Sequence, residues 1–190
     1  MLHCIEGHLD GFQYQHILQN LMVPSALFKS NLVSRKSKLK PYLSVIRPVV
    51  VYGCETWVLK ESNIQKLSVF ERKILRKIFG PTKEDKSIWR IKTKKELDEL
   101  IKHWNIINYV KAQRLSWFGH VNRMHETSIV KRIYKWKPFT ERPVGRPKSR
   151  REDDVGNDLK KMRLIKWTEQ VQDRLKWNDI VEKAENPPEL

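Results

Sequence analysis

The sequence predicts an all-α protein: an irregular helical bundle, a basic Pro/Gly linker and a C-terminal helical tail. Three observations predict it. Apolar residues recur at helical spacing through most of the chain, helix-start and helix-stop residues bracket several of those stretches, and strand signals are scarce. The 190 residues suffice for one ordinary domain or a domain with a tail.

Residues 1–25 have poor periodicity and no clear cap, and stand apart as a poorly defined N-terminal segment. Ser34 opens a basic helix with Leu39, Tyr42, Leu43 and Ile46 on one face. Pro41 inside it implies a kink or a late start, and Pro48 a stop or bend. Val49, Val50, Val51 and Tyr52 follow as a run too short to separate strand from buried helix. Ser62 with Gln65 forms a capping-box pattern, and Ile64, Leu67, Phe70, Ile74, Leu75 and Ile78 repeat at helical spacing until Gly80-Pro81 ends the helix.

Thr93 and Glu96 cap a shorter helix bearing Leu97, Leu100 and Ile101. A third carries Ile106, Ile107, Val110, Arg114, Trp117, Phe118 and Val121, and another is expected around residues 128–136. The stretch KPFTERPVGRPKSRR is a linker: four of its residues are Pro or Gly and it is nearly devoid of apolar side chains. Helical character resumes over residues 153–162 and 168–184, with Val171, Leu175, Ile180 and Val181 as a stripe, and Asn186-Pro187-Pro188 closes it. The expected organisation is a segment 1–25, a bundle 26–136, a linker 137–152 and a helical extension 153–190.

Thirty-eight Lys and Arg against 22 Asp and Glu leave a formal charge of +16. That surplus favours a polyanionic partner, DNA or RNA before membrane, and its clustering argues against charge kept only for solubility. Over residues 35–77 bases outnumber acids eleven to three, over 131–151 nine to one, and over 152–190 acids lead ten to seven. Cys4 and Cys54 imply no disulfide framework, no apolar run reaches the roughly 18–20 residues of a membrane span, and the N-terminus lacks signal-peptide character. An intracellular, nuclear setting is expected, with no cofactor.

The residues SRKSKLKPYLSVIRPVVVYGCETWVL, FERKILRKIFGP, RLSWFGHVNRM and RPVGRPKSRREDDVGNDL, in this order, resemble the region downstream of the polymerase palm in LINE-type (non-LTR) retrotransposon endonuclease–reverse transcriptases. The resemblance runs from about residue 27 to about residue 184. It implies a helical thumb that packs on a template–primer duplex, with residues 34–80 thumb-like, followed by a C-terminal extension. It also implies a link to the remainder of a retroelement polyprotein. Residues 1–25 do not match a palm, Pro41 replaces an ordinary helix former, and the Trp of a usual Trp-Asp near Arg151-Glu152 is missing. A truncated copy of such an element is the expectation.

Reverse transcriptases hold two metal ions on paired aspartates of a tight hairpin. Tyr52-Gly53-Cys54-Glu55 echoes that hairpin but lacks both aspartates, and Asp153-Asp154 stand where a helix starts, where acids favour the dipole. No catalytic residue and no enzyme activity are therefore expected. His3, Cys4, His8 and His16 match no zinc-ligand spacing. His120 and His125 flank Arg123, which suits a phosphate-facing helix end or two plain surface histidines.

Arg142-Pro143-Val144-Gly145-Arg146-Pro147-Lys148 resembles an AT-hook, whose extended Gly-Arg-Pro core lies in a narrow minor groove. Alternatives are a solvated linker or an import signal built on Lys148-Ser149-Arg150-Arg151. The expected nucleic-acid contacts are Arg35, Lys36, Lys38, Lys40, Lys73, Arg76, Lys77, Arg114, Arg123, Arg142, Gly145, Arg146, Pro147, Lys148, Arg150 and Arg151. The other class of reading is a residual or domesticated helical interaction module without a specific nucleic-acid ligand. The seven tryptophans are expected in the core, Trp117 being the candidate exception.

Overall fold

The computed structural model describes Phe28, Ser30 and residues 32–84, 88–101, 105–136, 151–164 and 166–186. The described residues are mostly helical, with one two-stranded ribbon, so the all-α class holds. They form two compact units: residues 1–53 with 61–107, and residues 54–60 with 108–190. The chain passes from one unit to the other after Gly53, Lys60 and Ile107.

In the first unit α1 (Arg35–Pro41) is capped by Ser34, whose side chain accepts from the Ser37 N–H at 3.1 Å. A π-helical turn, Tyr42–Ile46, and α2 (Arg47–Val50) continue it. Proline explains the change of pitch: Pro48 has no N–H for the carbonyl four residues back and its ring crowds that carbonyl, so the preceding turn widens. The valine run therefore ends a helix and is no strand; Gly53 follows at φ +69° to turn the chain.

Helix α3 (Glu61–Phe79) starts at Glu61, so Ser62 lies in its first turn and is not the cap that Ser62 and Gln65 suggested. Of its expected stripe, Leu67, Phe70, Leu75 and Ile78 are buried and Ile64 and Ile74 half-buried. Gly80 at φ +69° ends it, donating its N–H to the Arg76 carbonyl at 2.9 Å. Pro81 leads into the antiparallel ribbon β1 (Thr82–Lys83) and β2 (Trp89–Arg90), with Thr82 opposite Arg90 and Lys83 opposite Trp89. The ribbon had no forecast. Helix α4 (Lys94–Leu100) carries the expected capping box in both directions, Thr93 accepting from the Glu96 N–H and Glu96 from the Thr93 N–H.

Helix α5 (Ile106–Arg123) supplies most of its length to the second unit, which also holds α6 (Ile129–Lys135), α7 (Arg151–Lys161), α8 (Trp167–Gln170) and α9 (Arg174–Glu185). The tail expected as one helix over residues 168–184 is two. Asp173 breaks it by capping α9, its carboxylate accepting the N–H groups of Leu175 (3.0 Å) and Lys176 (3.3 Å). Leu115, Phe118, Val155, Leu159, Val171, Trp177 and Ile180 form the core of this unit. Trp177 is fully buried and donates its indole N–H to the Leu115 carbonyl at 2.9 Å. Its ring lies across Gly119, where a Cβ would overlap the indole.

Candidate nucleic-acid interface

In the first unit the expected cations separate by burial. Arg35, Lys36 and Lys40 are exposed on α1, but Lys38 is turned inward and donates its ammonium to the Phe28 carbonyl at 2.9 Å. Lys38 is therefore corrected from phosphate contact to structural donor: it shares the buried face of α1 with Tyr42, four residues on.

Lys73, Arg76 and Lys77 are exposed along one side of the last two turns of α3, where the helix dipole favours cations. Arg76 Nε also donates to the Lys92 carbonyl at 3.3 Å, which ties the end of α3 to the segment leaving the ribbon. That segment leads directly to Lys94 and Lys95, both exposed in the first turn of α4. Lys83 stands opposite Trp89 on the ribbon, its ammonium 5.9 Å from the ring centroid.

Glu84 and Glu96 are neutralised locally, while Asp98 is half-buried and Glu99 exposed farther along α4. Arg90 pairs with Glu84 and makes a fork to Glu96 at 2.7 and 3.1 Å. The Arg90 guanidinium, with the Thr93 N–H, holds the Glu96 carboxyl down at about 2. Lysines 73, 77, 83, 94 and 95 thus face solvent, with Glu84 and Glu96 already matched by Arg90. Sequence reasoning missed Lys83, Lys94, Lys95 and Trp89. The available signal was Ile88-Trp89-Arg90-Ile91, a short β-prone run after the polar stretch Glu84-Asp85-Lys86-Ser87.

In the second unit two expected contacts belong to the scaffold. Arg114 is 1% exposed, and its guanidinium meets Asp154 at 2.6 Å and Asp158 at 3.3 Å. Asp154 also accepts the Leu59 N–H at 2.8 Å, and Lys111 adds a contact to Asp158 at 3.5 Å. Arg114 is corrected accordingly: it sits next to core Leu115, so its stem is buried and its charge needs the two carboxylates of α7. Arg123 is half-buried and donates to the Val171 carbonyl at 3.0 Å, satisfying an acceptor at the end of α8.

Arg142, Gly145, Arg146, Pro147, Lys148 and Arg150 lie outside the described residues, and Arg151 is described only as the start of α7. His120 and His125 are exposed, His125 Nδ1 sitting 2.7 Å from the Thr127 hydroxyl. Cys54 is buried, and that burial pushes its thiol up to about 12. Asp154, in the Asp153-Asp154 pair, is engaged by Arg114 and Leu59. Among the described residues no group of three His, Cys, Asp or Glu could hold a metal ion; His3, Cys4, His8 and His16 lie outside them. No described helix is long and apolar enough to cross a membrane. Trp89 and Trp136 are 63% and 64% exposed, which corrects their expected burial.

The chain is similar to a transposon-derived protein. That relative, an uncharacterised protein of Caenorhabditis elegans, is 20% identical over 160 residues, which is 80% of this chain and 56% of the relative. The chain therefore spans little more than half the length of the relative it matches. No family model matches the chain, and no solved structure matches it significantly.

Proposed function

We propose that the chain is a non-catalytic nucleic-acid-binding fragment of a LINE-type retrotransposon reverse transcriptase. It contacts template–primer or target DNA in the nucleus through basic helices and an AT-hook-like linker. The observation that carries this reading is the set of exposed lysines at the end of α3, on the ribbon and at the start of α4, beside acids held by Arg90. The transposon-derived relative supports the origin. The four ordered stretches that resemble the post-palm region support the finer assignment. Polymerase chemistry belongs to the parent protein, because this sequence offers no aspartate pair on a hairpin.

A second reading, a helical protein-interaction module, is favoured by Ile129, Ile133 and Trp136 on and just after α6. These are spaced four and three residues apart and all well exposed. Salt dependence separates the two. If lysines track phosphates, log affinity for duplex DNA falls linearly with log salt, and Lys73→Gln with Lys77→Gln lowers the slope by about two, one per lost phosphate contact. A salt-independent affinity, or a slope unchanged in the double variant, refutes phosphate tracking by α3. Primer extension in Mg²⁺ or Mn²⁺ should stay at the level of a no-protein control.

A further inference from the structure

We infer that the β1–β2 ribbon is a stacking platform for an unpaired nucleobase, with Trp89 receiving the base and Lys83 the neighbouring phosphate. The inference rests on the nucleic-acid reading and specifies the ligand of that surface. An indole 63% exposed on a two-residue strand is costly to leave in water. On either side of it in the chain, Ile88 and Ile91 are exposed by 58% and 67%, adding apolar surface to the ribbon.

What surrounds it selects the occupant. Lys83, directly opposite on the ribbon, holds its ammonium over one face of the ring and leaves the other for a base, and Lys94 and Lys95 stand exposed just past β2. Lys73 and Lys77 flank Arg76, which bonds the segment leaving β2. An apolar protein ligand would leave those ammonium groups without counter-charge. A nucleotide strand satisfies both features at once, since every base has a π-face for the indole and every residue a phosphate for a lysine.

The ribbon is held in place independently of any ligand. Glu84 N–H bonds the Ile88 carbonyl at 3.0 Å, Lys92 Nζ bonds the Thr82 hydroxyl at 2.6 Å, and Arg90 clamps Glu84 and Glu96. The paired bases of a duplex have their faces covered, so the platform distinguishes unpaired strands from duplex interior. The shared chemistry is an unpaired base on a phosphodiester backbone, from DNA or RNA.

The test titrates the full chain, by fluorescence anisotropy at several salt concentrations, with labelled oligothymidylate, oligouridylate and a duplex of the same length. Trp89→Ala should weaken both single strands by roughly five- to a hundredfold while leaving the salt slope and the duplex affinity unchanged. Trp89→Tyr, which keeps a stacking ring, should retain most of the affinity. Lys83→Gln should lower the single-strand slope by about 0.7, the contribution of one phosphate. A loss on one single strand alone restricts the platform to that kind of strand. Equal losses on single strand and duplex, or none on any probe, overturn the platform while leaving the nucleic-acid reading intact. Failure of the parent chain to bind any probe overturns both.

Discussion

Glu71 shows how far one buried side chain can organise its surroundings. Its carboxylate accepts the Tyr42 hydroxyl at 2.6 Å and the Ile106 N–H at 3.0 and 3.1 Å. A side chain of α3 thereby caps the start of α5, satisfying one of the N–H groups that a helix terminus leaves over. Burial outweighs these donors and the nearby Arg47, and raises the Glu71 carboxyl above its usual 4.5. The folded state then binds the proton more tightly than the unfolded chain. Its contribution to stability is complete below pH 4.5 and is lost as pH rises through the raised value. Glu71→Gln removes that titration, so the thermal midpoint of the parent relative to the variant should fall from acid towards neutral pH. A constant difference across that range would remove the assignment. Glu71→Ala should cost more at every pH, about 1–3 kcal/mol for each buried donor left unpaired at Tyr42 and Ile106.

Among the elements, α5 and α9 meet through a space that only glycine leaves open. Trp177 reaches over Gly119 to the Leu115 carbonyl, and Phe118 packs on the indole at 6.0 Å between centroids. A methyl at position 119 would improve helix propensity by about 1 kcal/mol. It would also overlap the indole, and overpacking a filled core costs about 1–3 kcal/mol. Gly119→Ala should therefore lower the denaturation midpoint and weaken the near-ultraviolet tryptophan signal. A variant as stable as the parent would mean that the indole is not seated there. The four-residue string Trp117-Phe118-Gly119-His120 thus holds a packing requirement that its position in one helix does not reveal.

For the whole molecule the organising quantity is charge, and the net +16 divides between scaffold and surface. Lys38 and Arg114 are buried with partners inside the fold, whereas the lysines of the α3 end and the ribbon face water. The Pro/Gly linker is proposed to add a groove-directed contact. On that proposal Arg146→Ala should weaken A/T-rich duplex binding more than G/C-rich binding. Lys148→Ala should weaken both alike and lower the salt slope by about one. Equal losses for Arg146→Ala on both duplexes reduce the motif to a basic linker.

The helical class, the α3 stripe, its Gly80 stop, the Ser34 cap and the Thr93–Glu96 box were all legible before folding. Each depends on residues a few positions apart in one segment, and that is the range over which helical periodicity and capping act. The widened turn after Pro41 was half legible: proline announces a distortion without stating its form. Tertiary structure alone decided which cations are available to a ligand. Arg114 and Arg123 read as two more helix bases until Asp154, Asp158 and the Val171 carbonyl arrive from 40 to 48 residues away. Conversely, Trp89 reads as core and is exposed, because a two-residue ribbon has no second face on which to bury it. Local composition determined how much charge the chain carries. Long-range packing determined where that charge meets solvent, since the cost of burying an ion is met only by partners that the fold brings together.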